Sequence, residues 1–328
     1  MIARDALAQA RETIARQAEE IACLRQLVHT LSEHSNGAAG ATASIPAAAP
    51  PAGRLADEWM LDWLDDSPDV VLPRLERIMP LDHLTPEWAW GGSTGHGVRV
   101  AVIDSGISAR HPSIGRVDGY LAIREGSGGL SFDTSPHDDE HGHGTACASL
   151  IRTLAPECEL YSVKVLGPRL EGGGAAFAAA IRWAIDSGIR VCNLSLGTIR
   201  PELFAPLHQL ADEAYFQNMI LVAAANNEPR PSFPASYASV ISVAAIRAED
   251  PEHFFYYPSS PIEFRAAGIG VRVAWPKRRW QVQSGNSFAA PQLSGLVARI
   301  LAKHPSLTPF HVKSVLRALA ANVGDEAS

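Results

Sequence analysis

A chain of 328 residues with 46% hydrophobic and 19% charged content is large enough for one sizeable α/β domain with appendages. The formal net charge of −7 argues against nucleic acid as a partner, and no apolar run reaches the length of a membrane span. Four cysteines, Cys23, Cys147, Cys158 and Cys192, show neither a C-x-x-C pair nor disulfide-framework spacing, and they read as reduced thiols. The charged start, Met1 to Leu7, has no apolar stretch of the secretory kind, so a cytoplasmic protein is expected.

Residues 1–34 carry a short heptad pattern. Leu7, Ile14, Ile21 and Val28 form one row, and Ala10, Leu24 and Leu31 form the other, interrupted by Gln17. This spacing predicts either a parallel coiled coil, giving a homodimer, or an amphipathic helix that docks on a partner. Residues 35–55, rich in Ala, Pro and Gly, read as a flexible linker. Residues 56–96 begin with an acidic stretch that holds Trp59, Met60 and Trp63, expected to pack on the following domain or to regulate it.

From residue 97 to 328 the pattern alternates. Apolar strands are predicted at 98–103, 160–166, 191–196, 219–225 and 240–245, and helices at 143–154, 175–187, 203–217, 288–303 and 309–321. Fully apolar strands between helices predict a mostly parallel central sheet covered on both faces, a three-layer αβα fold.

In such sheets the working residues collect beyond the carboxyl ends of strands. Asp104 follows the first strand, and Asn227 ends the Leu221–Ala225 strand. His143 opens a helix among glycines, and Ser287 lies where a small-residue turn, Ser284 to Ala290, enters the helical pattern. Singly, each reads as a turn or cap residue. Together they supply a nucleophile, a base, an orienting acid and an oxyanion donor for serine acyl transfer. Asp138 to His143 also offers the ligand types of a zinc site, but that reading leaves Asp104, Asn227 and Ser287 without roles. Trp275 to Trp280 mixes basic and aromatic residues; an exposed hairpin is expected there rather than a single-strand nucleic-acid binder.

Five blocks carry a resemblance: Val102-Ile-Asp-Ser-Gly-Ile107, His143-Gly-Thr-Ala-Cys-Ala148, Asn193-Leu-Ser-Leu-Gly197, Ala223-Ala-Ala-Asn-Asn-Glu228 and Gly285-Asn-Ser-Phe-Ala-Ala-Pro291. Over roughly Gly97 to Ala321 the chain resembles the subtilisin-like serine proteases, of an intracellular type, and the order Asp, His, Ser matches that family. The resemblance implies a subtilisin-like fold and a serine endopeptidase that uses no cofactor. Its triad is Asp104, His143 and Ser287, with Asn227 in the oxyanion hole. It further implies that Ser195, Leu196 and Gly197, with Ala223, Ala224 and Ala225, bind the substrate strand and line the specificity pocket.

Departures from the family pattern are Asn286 in place of threonine, Phe288 in place of methionine, and Asn226 and Thr198 in place of glycines. Asn286 is expected to act either as a second oxyanion donor or as a support for the turn. The run from Arg152 to Cys158 is too short for the calcium loop of many relatives, so no metal site is expected there. The implied substrate is a dedicated intracellular protein or peptide. The alternative is a peptide-binding scaffold with little turnover.

Overall fold

The computed structural model describes residues 84–323 apart from 229 and 259. The readings of residues 1–34 and 35–55, and of 56–96 up to residue 83, lie outside the described residues.

The chain enters through a single helical turn, α1 (Pro86–Ala89). Thr85 caps it by accepting a hydrogen bond from the Trp88 N–H at 3.1 Å, and Pro86 occupies the first position, where a missing N–H costs least. Trp90, 2% exposed, follows and belongs to the main hydrophobic core. Leu84 and Trp88 pack against the same core.

β1 (Arg99–Asp104) runs through the middle of the sheet, flanked by parallel β4 (Glu159–Lys164) and β5 (Val191–Leu194). The remaining strands are β2 (Gly119–Gly126), β3 (Gly129–Asp133), β6 (Ile220–Ala224), β7 (Ile241–Ile246), β8 (Phe255–Tyr256) and β9 (Phe264–Ala267). They complete a nine-stranded sheet in the order β3-β2-β4-β1-β5-β6-β7-β9-β8. Every pair from β2 to β9 is parallel, and the outer pairs β2/β3 and β8/β9 are antiparallel. Val100 to Ile103 are completely buried because both faces of the sheet are covered, which is why the strand reads as an unbroken apolar run.

One face carries α2 (His143–Leu154), α5 (Asn286–Lys303) and α6 (Pro309–Ala318); the other carries α3 (Gly174–Asp186) and α4 (Phe204–Phe216). α5 is the axis of the core, with Leu293, Leu296, Val297 and Ile300 fully buried against the sheet and α2. Truncating one of these leucines to alanine is expected to cost about 2–5 kcal/mol, the lost transfer energy plus a cavity.

The predicted strands and helices are all present, with ends shifted by at most three residues. β2, β3, β8 and β9 escaped the sequence reading. β2 and β3 form a hairpin whose tip, Arg124 to Gly129, is exposed and glycine-containing, so its apolar signal is only a few residues long. The Trp275–Trp280 hairpin is found as β10 (Ile269–Trp275) and β11 (Arg279–Ser284), a separate two-stranded sheet. It is not exposed throughout. Its Val273 is buried with Ala146, Leu150 and Phe288, while Trp280 stays 44% exposed under the Arg272 guanidinium, 4.3 Å from the ring.

Candidate active site

Asp104, the last residue of β1, is fully buried. It accepts the Ser105 N–H at 2.7 Å, and both its oxygens lie 2.9 Å from Nδ1 of His143. His143 is the first residue of α2, a position set by two glycines. Gly142, the N-cap, has φ +119°, and a Cβ there would strike the Trp275 ring at 2.4 Å. At Gly144 a Cβ would lie 2.2 Å from the Gly106 carbonyl, so any side chain would push the helix start, and the imidazole with it, away from β1.

Burial of the imidazole pulls its pKa down. The Asp104 charge, the hydrogen bond to it and the Asp139 charge together outweigh that and leave His143 above the ordinary histidine value.

Ser287 is the second residue of α5, where backbone N–H groups lack intrahelical partners. Its Oγ donates to the Ser195 carbonyl at 3.1 Å, and no hydrogen bond joins it to His143 among the described residues. Pro291 sits in the second turn of α5 and so withholds the N–H that would pair with the Ser287 carbonyl. Ser195 Oγ fills that gap at 2.7 Å, with the Cys147 thiol at 3.5 Å. Asn193, fully buried, donates to Ser195 Oγ at 3.0 Å and accepts from Ser294 Oγ at 3.0 Å. The Asn-Leu-Ser-Leu-Gly block is therefore a polar brace between β5 and α5.

Asn227 is exposed, and its Oδ1 accepts the Asn286 N–H at 3.2 Å. That pairing leaves Nδ2 as its free donor, since no hydrogen bond to it is found among the described residues. Asn286 has no such freedom. Its Oδ1 accepts the Ala245 N–H at 2.8 Å and its Nδ2 donates to the Asn226 carbonyl at 2.8 Å, so both ends of the amide hold the turn.

Asp104 lies beneath His143, which together with Ser287, Asn227, Ser195, Leu196, Gly197, Ala224 and Ala225 lines one cleft of about 860 Å³. Ala223 does not join them: it is fully buried inside β6, paired with Leu194 on one side and Ser242 on the other. Asn226 lines the cleft in its stead, one pocket wall running Ala224 to Asn227. Leu196 and Gly197, just past the end of β5, make no backbone hydrogen bond among the described residues, so their main-chain groups are left for another partner. Opposite lie Gly172, Gly173 and Gly174, which the sequence reading passed over; three consecutive glycines before a helix were the signal. His141 and Trp275 line the cleft beside His143, their rings 5.8 Å apart.

Asp104, His143 and Cys147 bring potential ligand atoms within 4.8 Å of one another. Cys147 is completely buried, and burial raises its pKa well above the usual thiol value, so it holds its proton and is a poor metal ligand. Asp104 and His143 already satisfy each other.

The subtilase family model matches residues 95–328. Subtilisin DY of Bacillus licheniformis is 33% identical over 249 residues, covering 71% of this chain and 87% of that protein. Subtilisin Savinase of Lederbergia lenta is 33% identical over 244 residues, covering 71% of this chain and 87% of that protein. Subtilisin E of Bacillus subtilis (strain 168) is 32% identical over 249 residues, and there the match covers 63% of the relative's length. The crystal structure of a cold-adapted subtilisin-like serine proteinase superposes with a TM-score of 0.59 at 23% identity, covering 71% of this chain and 86% of that one, and shares the fold. With the family model matching most of its length and relatives a third identical across most of theirs, the chain belongs to the subtilase family and is a serine endopeptidase.

Proposed function

We propose that Asp104, His143 and Ser287 are the catalytic triad and Asn227 the oxyanion donor. The observation that carries this reading is the buried Asp104 carboxylate at 2.9 Å from His143 Nδ1, beneath the cleft lined by His143 and Ser287. Asp104 fixes the tautomer with the proton on Nδ1, leaving Nε2 as the base. The Ser287 hydroxyl turns from the Ser195 carbonyl to the imidazole, gives up its proton and attacks the peptide carbonyl. The oxyanion is held by Asn227 Nδ2 and the Ser287 N–H, both free of other partners among the described residues. His143 then protonates the leaving amine. Water repeats the sequence on the acyl-enzyme.

The substrate adds as a strand along the free edge of Ser195, Leu196 and Gly197, and the side chain preceding the cut enters between that edge and Ala224 and Ala225. An activity-based fluorophosphonate probe tests the assignment. It labels the wild-type chain and fails to label Ser287→Ala; equal labelling of both removes the reading.

The finer assignments belong to the same proposal. The protease domain comprises residues 97–328 and acts on a dedicated intracellular protein or peptide as an intracellular type of subtilase. Buried free thiols at Cys147, Cys158 and Cys192 support a reducing, cytoplasmic setting. Residues 1–34 pair two chains or dock on a partner, residues 35–55 tether them, and residues 56–96 pack on or regulate the protease. Support for these comes from the heptad pattern and composition.

A further inference from the structure

Asp139 lies four residues before His143, is 3% exposed, and forms no ion pair with any described residue. Its isolation from cations is offset by an unusual number of donors. Oδ1 accepts from Ser105 Oγ (2.9 Å), the His141 N–H (3.1 Å) and the Gly142 N–H (2.7 Å). Oδ2 accepts from the Thr145 N–H (2.9 Å) and Thr145 Oγ1 (2.7 Å). Both hydroxyls donate to the Asp139 carboxylate, which can only accept, and each in turn accepts a backbone N–H: Gly144 to Ser105 Oγ at 3.0 Å and Ser108 to Thr145 Oγ1 at 2.9 Å.

Those donors come from both sides of the imidazole. His141 and Gly142 lead into the helix start, Thr145 is one turn in, and Ser105 is the residue after Asp104. The N-cap Gly142 has no side chain to hold the first turn of α2, and Asp139 takes over that task from three residues upstream. One buried carboxylate thus fastens the helix bearing the imidazole to the strand end bearing its partner.

We propose that Asp139 is a positioning residue for His143: it clamps the turn that presents the imidazole to Asp104 and adds a second buried negative charge to the ring's surroundings. The proposal rests on the triad reading above. Charged and titratable groups facing His143 are Asp104 from β1, Asp139 and His141 from the loop before α2, and the protonated Cys147 from α2 itself. Among the described residues, α5 and β10 present Ser287, Phe288 and Trp275, none of them charged. Of these Asp104 and Asp139 carry charge next to the ring, and both favour its protonated form.

The test uses Asp139→Asn and Ser105→Ala in the full-length chain, with Ser287→Ala as control, and reads kcat, KM and the pH dependence of kcat/KM. Asp139→Asn turns one acceptor into a donor facing other donors and removes the charge. The expected result is a fall in kcat of at least about tenfold through misplacement of the base, with KM little changed, and a shift of the acid limb to lower pH by about half a unit. Ser105→Ala removes one of the five bonds and no charge, and is expected to lower kcat while leaving the acid limb in place. If Asp139→Asn does not fold, Thr145→Val takes its part, and a normal kcat in both Thr145→Val and Ser105→Ala overturns the proposal. It is also overturned if Asp139→Asn keeps kcat and the acid limb and changes only the melting temperature. An active Ser287→Ala would instead refute the triad reading on which the proposal stands.

Discussion

Ser195 and Ser287 are bonded to each other twice. The Ser195 hydroxyl donates to the Ser287 carbonyl at 2.7 Å, and the Ser287 hydroxyl donates to the Ser195 carbonyl at 3.1 Å. The first bond is needed because Pro291 has no N–H for that carbonyl, and the second fixes the orientation of the Ser287 hydroxyl. Ser195→Ala is expected to lose about 1–3 kcal/mol of stability, the cost of an under-satisfied buried acceptor, checked by chemical denaturation. The same variant should lower kcat several-fold, since the start of α5 loses one anchor.

Replacing Asp104 by asparagine keeps the shape but stabilises the wrong histidine tautomer. kcat should fall by about 10⁴-fold, as in other Asp-His-Ser enzymes, while a peptide inhibitor still binds with near wild-type affinity. A loss below tenfold would argue that another group orients His143.

The pH dependences of activity and stability should run in opposite directions. In the proposed mechanism His143 must be neutral to act as base, and its pKa lies above the ordinary value of 6.5 because the Asp104 charge and hydrogen bond, with the Asp139 charge, outweigh burial. Activity therefore rises as pH passes through a value above 6.5. A group whose folded pKa is raised stabilises the fold most below its unfolded pKa. The contribution of the pair is full below about 6.5 and fades as pH rises through the folded value. Melting curves of wild type and His143→Ala across that range isolate this contribution, which should shrink as the rate grows.

Asn227 and Asn286 are adjacent in space, yet their loss should look different. Asn227→Ala removes the free Nδ2 donor, and with it the exposed acceptor of the Asn286 N–H, and should cost about 10²–10³ in kcat, the magnitude of subtilisin's own oxyanion asparagine, with only a small loss of stability. Asn286→Ala leaves the Ala245 N–H and the Asn226 carbonyl without partners and should cost about 1–3 kcal/mol of stability first, with activity following from the loosened turn.

The heptad reading predicts dimers that are lost when residues 1–53 are removed. Light scattering that returns the same mass for both chains would refute it.

Much of this was legible because strict local requirements leave strict sequence marks. Asp104 could be placed from the apolar run before it, and the start of α2 from His143-Gly-Thr, since Gly144 has to clear the Gly106 carbonyl. Other features depend on tertiary partners that no local pattern encodes. Ala223 and Ala224 are neighbours in one apolar word, and only strand pairing decides that the first is sheet interior and the second cleft wall. The two possible jobs of Asn286 differ only in whether Ala245 and Asn226 come within reach of its amide. Asp139 passed as a possible metal ligand because its five donors are backbone and hydroxyl groups without a motif.

The entry of the chain sets a leash on whatever precedes it. Lys303 Nζ holds the Glu87 and Gly91 carbonyls, and His304 Nε2 binds the Trp88 carbonyl at 2.8 Å, so α1 is moored at the far end of α5 from Ser287. The seventeen residues from Ser287 to Lys303 span about 24 Å of helix. Seventeen residues of sequence separate Asp66 from Leu84, and if the 56–96 segment regulates the protease, excising most of them should change turnover relative to the full chain.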